Sequence, residues 1–312
     1  MRTCAAARNR CTGSIPGEKG FLKRAAATRV PYADVQPLYN FVTGERVPLE
    51  LPAPFEGILA RSPLALVACQ VRYSDSARVL SGGVAAELSR RLADAKFPYP
   101  RVDQVQLQNF NVDVGAGTAR SESAGRGWRL QTEDGRWILT VTPDAVTLET
   151  TRYKTWREDF CARFCAVVDA LCEAVSPKAE TRLGLRYVDV IVDPPAKHMA
   201  DWKGWIDQSF LGPIAHPRLG SGISTMQQQM SLNLDHDIRA TLRSGVYPDA
   251  ARDNTPTYLI DTDVFRESLV QFERDGIYEM IERLHDWNLR LFQMIITPAM
   301  LAHLRGAETI AS

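Results

Sequence analysis

The sequence predicts an α+β protein, built on an antiparallel curved sheet with long helices packed on one face. The first observation is an apolar, β-branched run at 182–193 that ends at Pro194 and Pro195, which is typical of a central strand buried on both faces. The second is the predicted order of strand, helix, four strands and helix over 64–177. The third is a less regular repeat of that order over 178–312, which predicts a duplicated β-α-β-β-β-β-α unit.

Side-chain alternation divides the predicted central strand into two faces. Tyr187 and Asp189 share one face, and Arg182, Gly184 and Arg186 share the other. A carboxylate on an otherwise apolar face needs a partner, so Asp189 and Tyr187 are candidate binding residues. Arg182 and Arg186 are candidates as well, because the gap at Gly184 lets a planar anion approach two guanidinium groups. The alternative is structural, with Arg186 paired to a carboxylate on a neighbouring strand.

Local patterns predict the elements of the first half. Asp134-Gly135 between two short strands is a strong hairpin signal, and Thr155 with Glu158 forms the capping box that begins a helix. Residues 115–127 are rich in small side chains and predict a loop. The resulting strands are at 64–73, 102–114, 128–132, 136–142 and 145–151, and the helices are at 81–95 and 155–175.

The second half continues with a short helix, three strands and a long helix. The predicted helices are at 201–210 and 269–296, and the strands are at 224–234, 238–244 and 257–263. The apolar stripe of the long helix includes Asn288 and predicts a core face against the sheet. The alternative is a helix–helix contact in a homodimer, with Asn288 setting the register.

A short internal echo supports the duplication: Val71-Arg-Tyr-Ser-Asp75 in the first half matches Leu185-Arg-Tyr-Val-Asp189 in the second. The element order resembles the saddle of the TATA-binding-protein-like fold. That resemblance implies the shape of the sheet alone, since a shared fold does not carry DNA binding with it.

Composition bounds the class of protein. Lys and Arg together number 37, as do Asp and Glu, so net charge gives no general attraction to nucleic acid or to an anionic membrane. The six cysteines lack the spacing of a disulfide framework, and there is no apolar run long enough to span a membrane. We therefore expect a cytoplasmic protein with no membrane association. Residues 1–30 predict a basic disordered tail, and the prolines of 31–63 predict an extended arm anchored by aromatic residues such as Phe55.

Three segments together resemble a known family. They are Arg182 to Ile191, Tyr258 to Asp263, and Leu284-His285 followed by Phe292 and Ile295 to Thr297. This combination resembles a sporadically distributed prokaryotic family of conserved uncharacterised proteins, over roughly residues 63–297. The resemblance implies no activity, cofactor or partner, and the patchy distribution of the family suits an accessory or defence-linked component.

Asp261 and Asp263 point the same way on a predicted strand, and His236 lies in a turn that the fold could bring near them. Carboxylates and imidazole are the ligands that a divalent metal or an acid–base site requires, so these three residues are candidate metal ligands. The alternative is ordinary turn chemistry and helix capping.

The chain has no phosphate loop, dinucleotide fingerprint, nucleophile elbow or zinc-protease helix. The leading hypothesis is therefore a non-catalytic binding or regulatory protein without a cofactor, which holds a protein partner or a second copy of itself. The alternative is a metal-dependent enzyme acting on a nucleotide or a nucleic acid. Direct nucleic-acid binding by the saddle is a further possibility that net charge does not favour.

Overall fold

The computed structural model describes residues 49–74, 76–113, 118–193 and 195–306. Within 107–124 it describes the backbone of 107–113 and 118–124 only. The strands are β1 (Leu64–Tyr73), β2 (Arg101–Asp113), β3 (Thr118–Gln131), β4 (Trp137–Thr142), β5 (Ala145–Thr150), β6 (Ala179–Ile191), β7 (Met226–Asn233), β8 (Ile238–Asp249), β9 (Thr255–Arg266) and β10 (Val270–Gln271). The helices are α1 (Gly82–Asp94), α2 (Ala162–Ala174), α3 (Gln208–Leu211), α4 (Arg274–Ile295) and α5 (Pro298–Leu304).

The strands form one open, curved antiparallel sheet, and the predicted α+β class is confirmed. Its order is β2-β3-β4-β5-β1-β6-β9-β8-β7, with β10 paired to the start of β6. The predicted central strand is β6, which pairs with β1 on one side and with β9 on the other. Within the described ranges, no helix is both long enough and apolar enough to cross a membrane.

The two halves of the sheet meet at β1 and β6. Moving outward, β5, β4, β3 and β2 follow β1, whereas β9, β8 and β7 follow β6. Each half therefore runs outward in reverse chain order, but the second half has three long strands where the first has four. This arrangement is compatible with the predicted duplication and saddle, both of which stay predictions.

Only one face of the central strand is covered, so the expectation of burial on both faces is wrong. Leu183, Leu185 and Tyr187 are buried on the face that packs against α4, whereas Arg186 on the other face is exposed. The reason lies in the alternation itself, because two arginines on one face keep that face in water. We call the uncovered side of the sheet the open face.

The long helix α4 packs against β6 and β9, and its stripe is a core face. Ile277, Ile281, Leu284, Leu291 and Ile295 are buried beneath it. Asn288 is fully buried: its side chain donates to the carbonyl of Leu185 at 3.1 Å and accepts from the Thr262 hydroxyl at 2.6 Å. The predicted role of Asn288 in a helix–helix contact is therefore wrong, because α4 already buries this residue against its own sheet.

Three local predictions were wrong. Residues 118–127 belong to β3 and continue a long hairpin with β2, although small residues predicted a loop there. The Thr155 side chain caps no helix, and this helical segment begins instead with a π-helical turn at Trp156–Cys161, directly before α2. The helix predicted at 201–210 is a 3-10 turn at Met199–Trp202 followed by α3. Tertiary packing of the aromatic side chains outweighs the local signals at the latter two positions.

The described part of the proline-rich arm, residues 49–63, lies along α4. Gln293 bonds both backbone groups of Phe55: its amide oxygen accepts from the nitrogen and its amide nitrogen donates to the carbonyl, each at 2.8 Å. Arg290 donates to the Leu51 carbonyl at 2.7 Å. The anchoring role predicted for Phe55 is consistent with these contacts, whereas residues 1–48, with the basic tail, lie outside the described residues.

Candidate functional site: a cavity around Asp189

The central strand, α4 and the arm enclose a cavity of about 450 Å³. Its floor is the end of β6, one wall is α4, another is the segment 153–158 before α2, and residues 55–59 of the arm form the remaining wall. We call it the Asp189 cavity. A cavity of this size is typical of a small-molecule site, and it lies where three separate chain segments converge.

Asp189 lies at the floor of this cavity with 4% of its surface exposed. The described residues donate no hydrogen bond to its carboxylate, and its strand neighbours Leu64 and Ile260 are apolar. Burial alone raises the pKa of Asp189 to about 8. At neutral pH this residue is therefore a buried carboxylic acid that faces the cavity.

Tyr187 and His285 form a hydrogen-bonded pair beside Asp189. The Tyr187 hydroxyl lies 2.7 Å from Nδ1 of His285, and the imidazole stacks on the Trp156 ring with centroids 4.0 Å apart and planes at 10°. Burial lowers the pKa of His285 to about 4, so its ring is neutral at physiological pH. The pair adds hydrogen-bonding capacity to the cavity without adding positive charge.

Trp156 is held in place from the opposite side by Glu282. Its indole nitrogen donates to Oε2 of Glu282 at 3.0 Å, and the Cys161 thiol contacts Oε1 of the same carboxylate at 3.4 Å. The π-helical turn at 156–161 places both donors toward α4, and single π turns are frequent at functional sites. This side chain cluster therefore fixes the aromatic wall of the cavity.

The lining of the Asp189 cavity is acidic and aromatic. Two basic side chains line it, Lys154 and Arg157, against five carboxyl groups. Those five are Glu56, Glu158, Asp189, Glu282 and Asp286. The aromatic lining consists of Phe55, Tyr153, Trp156, Tyr187 and Phe292, besides the neutral His285. Such a lining offers negative potential and π faces together.

Arg182, the first arginine of the open face, is paired across the sheet. Its guanidinium donates to both oxygens of Asp263 on β9, at 2.9 and 3.0 Å, and lies over the Phe265 ring at 4.7 Å. The space above Gly184 is occupied by this same guanidinium, so a side chain at 184 would collide with it. The gap predicted between the two arginines is thus filled from within the chain.

Arg186 forms a two-pronged ion pair with Asp261, through Nε at 2.7 Å and Nη2 at 2.8 Å. Hydrogen bonding to Asp261 raises the pKa of Arg186. Arg243 on β8 reaches the same carboxylate at 3.4 Å and donates to Gln229 on β7 at 2.9 Å. The structural alternative for Arg186, a carboxylate on a neighbouring strand, is confirmed. We call this row of paired side chains the arginine–aspartate ladder.

The three candidate metal ligands are not brought together. Asp261 and Asp263 are paired with arginines in the ladder, and His236 lies in the β7–β8 turn, five residues along the chain from Thr241, the β8 residue opposite Asp263. Across the described ranges, no group of three or more His, Cys, Asp and Glu side chains could hold a metal ion.

A second depression, of about 670 Å³, lies between the β3–β4 turn and α2. Its guanidinium at Arg163 is stacked over Trp137 at 4.2 Å, and its Asp134 is paired with Arg152 at 3.1 Å. The Nε and Nη1 atoms of Arg163 are nevertheless buried without a hydrogen-bond partner among the described residues. The Asp189 cavity differs in holding a buried carboxyl group with no partner in the described chain.

Sequence patterns identified Tyr187 and Asp189 but missed the rest of the cavity. Trp156, Glu282 and His285 are far apart in the chain, and only the contact of α4 with the segment before α2 brings them together. The available signals were the spacing of Glu282 and His285, three residues apart on one helix, and the place of Leu284-His285 in the family resemblance. No protein-family model matches this chain, and neither a curated protein nor a solved structure is significantly similar to it.

Proposed function

We propose that this chain is a non-catalytic binding protein whose small-molecule ligand occupies the Asp189 cavity. The observation that carries the proposal is the unpartnered carboxyl group of Asp189, 4% exposed at the floor of a 450 Å³ cavity. A buried polar group without a partner destabilises a protein, typically by 1–3 kcal/mol. Proteins retain such groups at functional sites, where a ligand completes the interactions.

A binding role accounts for the cavity more simply than catalysis does. The neutral His285 is engaged by Tyr187, and Glu282 is engaged by Trp156 and Cys161, so both side chains serve to fix the walls. Asp189 is the buried acid of this lining that has no partner among the described residues, and it is therefore available to a ligand. In keeping with the family that the sequence resembles, we further propose an accessory or regulatory role in the cytoplasm of a prokaryote.

The same proposal includes a macromolecular partner for the open face. The arginine–aspartate ladder presents Arg186 and Arg243, about half and one third exposed, on a sheet surface that no described helix covers. Paired charges of this kind give specificity to a protein contact more than affinity. A protein partner or a second copy of the chain is therefore the proposed occupant of that face.

Ligand capture from a metabolite extract tests the cavity. The full chain is incubated with a cytoplasmic extract, washed and denatured, and the released small molecules are identified by mass spectrometry. We expect Leu289→Trp, which fills the cavity from α4, to lose the ligand, and the exposed Leu269→Trp to retain it. Recovery of no compound in excess over folded Leu289→Trp would contradict the proposal, with circular dichroism confirming the fold of both variants.

A further inference from the structure

The Asp189 cavity selects its kind of ligand by the charge and the chemistry of its walls. We propose that it binds an organic cation, a primary or quaternary ammonium group on a small apolar body, with Asp189 as the counter-ion. This inference rests on the proposed binding function and names the ligand class of the same cavity.

The first support is the balance of charge. Five carboxyl groups and two basic side chains line the cavity. Asp286 is neutralised by Arg290 at 2.6 Å, whereas Asp189 has no partner among the described residues. A cation brought to Asp189 favours the ionised carboxylate and is attracted to it without screening by water. An anion would meet a lining in which Glu56, Glu158 and Glu282 outnumber Lys154 and Arg157.

The second support is the aromatic wall. Tyr153 and Tyr187 lie with ring centroids 6.2 Å apart at 55°, and Trp156 and Phe292 line the same space. Aromatic faces attract ammonium groups, and cages of such rings are the usual recognition mode for alkylated amines. An inorganic divalent cation would need several ligands in a fixed shell, and the described residues contain no group of three or more His, Cys, Asp and Glu side chains that could hold one.

The third support is size. A cavity of about 450 Å³ is far larger than a metal ion and falls within the range of pockets for small organic ligands. The apolar lining from Leu64, Leu289 and Phe292 suits the body of such a ligand, while the acid lies at one end.

Binding of a cation also moves a proton. Asp189 is a neutral acid in the free protein at pH 7, so a bound ammonium group drives its carboxyl proton into the solvent and leaves a carboxylate–ammonium pair. The neighbouring titratable groups Tyr187 and His285 are both neutral, because burial raises the pKa of Tyr187 and lowers that of His285. The charged groups that face Asp189 from the arm, from the segment before α2 and from α4 are Glu56, Lys154, Arg157, Glu158, Glu282 and Asp286.

Matched pairs of ligands separate charge from shape. Isothermal titration calorimetry of the full chain compares choline with its neutral isostere 3,3-dimethylbutan-1-ol, and benzylamine with benzyl alcohol. We expect at least one cation to bind at least tenfold more tightly than its neutral partner. Titration at pH 7 in phosphate and in Tris, which differ in ionisation enthalpy, should report the release of about one proton per bound cation.

Asp189→Asn keeps the shape of the side chain and removes its charge. It should weaken binding of the cation at least tenfold and leave the neutral isostere unchanged, whereas Asp103→Asn, at an exposed position on β2, should bind as the unaltered protein does. Circular dichroism verifies the fold of each variant.

Two results would overturn the inference. Equal affinity for cation and isostere would reject charge selection while leaving a binding cavity in place. Absence of binding by both cations would reject the ligand class, and the metabolite-capture experiment would then decide separately whether the binding function stands.

Discussion

At the scale of single residues, the two faces of the sheet differ in whether their buried carboxyl groups are paired. Asp261 on the open face is 4% exposed and accepts hydrogen bonds from two arginines. Asp189, equally buried on the other face, has no donor among the described residues. A paired buried carboxylate supports folding, whereas an unpaired one opposes it, so only the second is explained better by a ligand than by stability.

Asp189→Asn is expected to stabilise the protein. The unfolded chain ionises Asp189 above its ordinary pKa of 3.8, while the folded chain keeps the proton up to about 8, so stability falls as pH rises through that window. The full difference corresponds to on the order of 5 kcal/mol. Urea unfolding should show that the variant gains little in free energy of unfolding at pH 4.5 and gains about 2–5 kcal/mol at pH 8.

Asp103→Asn is the control for that measurement, because Asp103 is exposed and its substitution changes the net charge by the same amount. It should leave the free energy of unfolding within about 0.5 kcal/mol of its original value at both pH values. A gain for Asp189→Asn that does not depend on pH would show that burial does not raise the pKa of Asp189.

Arg186→Ala is expected to destabilise the protein by about 2–3 kcal/mol, because it leaves the buried Asp261 with Arg243 alone, at 3.4 Å. Arg72→Ala is the matched control: Arg72 lies on the same face of β1, is exposed and donates to Gln70. Chemical unfolding of both variants measures the difference. Equal, small effects would mean that the ladder contributes little to folding.

At the scale of elements, α4 carries both the core and the cavity. One side of the helix buries Asn288 against β6 and β9, while Glu282, His285 and Leu289 line the cavity. The Asn288 bonds fix the rotation of the helix about its axis, and that rotation decides where His285 points. The core of the helix thereby positions the wall of the site.

Asn288→Ala should cost about 2–3 kcal/mol in the free energy of unfolding, since it leaves the fully buried Thr262 hydroxyl and the Leu185 carbonyl without this partner. The double variant with Thr262→Val should recover part of that loss, because the orphaned hydroxyl is then absent. A double-mutant cycle by urea unfolding measures the coupling, and strict additivity of the two changes would contradict the proposed contact.

The sequence predicted most strands of the sheet because alternation and turn signals act locally. Residues 64–73 and the Asp134-Gly135 turn are found as predicted, with Gly135 at a φ of 67° that favours glycine. The segment 118–127 was missed, because its small polar residues become a strand only by pairing with β2. Cavity walls were missed for a related reason: Trp156 and His285 are 129 positions apart (285 − 156), and no local pattern links them.

At the scale of the whole molecule, the arm packs on the sheet and helices and completes the cavity. Residues 55–59 form one wall of the cavity and are tied to α4 by the two Gln293 bonds to Phe55. Access to Asp189 therefore depends on a segment without regular secondary structure. Such segments open at lower free energy than the core does.

Gln293→Ala is expected to loosen the arm without unfolding the body. Hydrogen–deuterium exchange should rise at least several-fold over residues 55–59, because both backbone groups of Phe55 lose their partner, while exchange in β6 stays unchanged. Gln227→Ala, at an exposed position of β7, is the control. Unchanged exchange in the arm would mean that these bonds do not hold the cavity wall.

The division of β6 into two faces has a consequence for how the chain finds its fold. If the pairing of β6 with β1 and β9 slipped by a single residue, every side chain would change sides. Arg182 and Arg186 would then be driven beneath α4, and Asp189 would move into water. The different placement of charged side chains on the two faces therefore specifies the strand register. Pairings of β6 shifted by one residue would be less stable, because they would bury the two arginines.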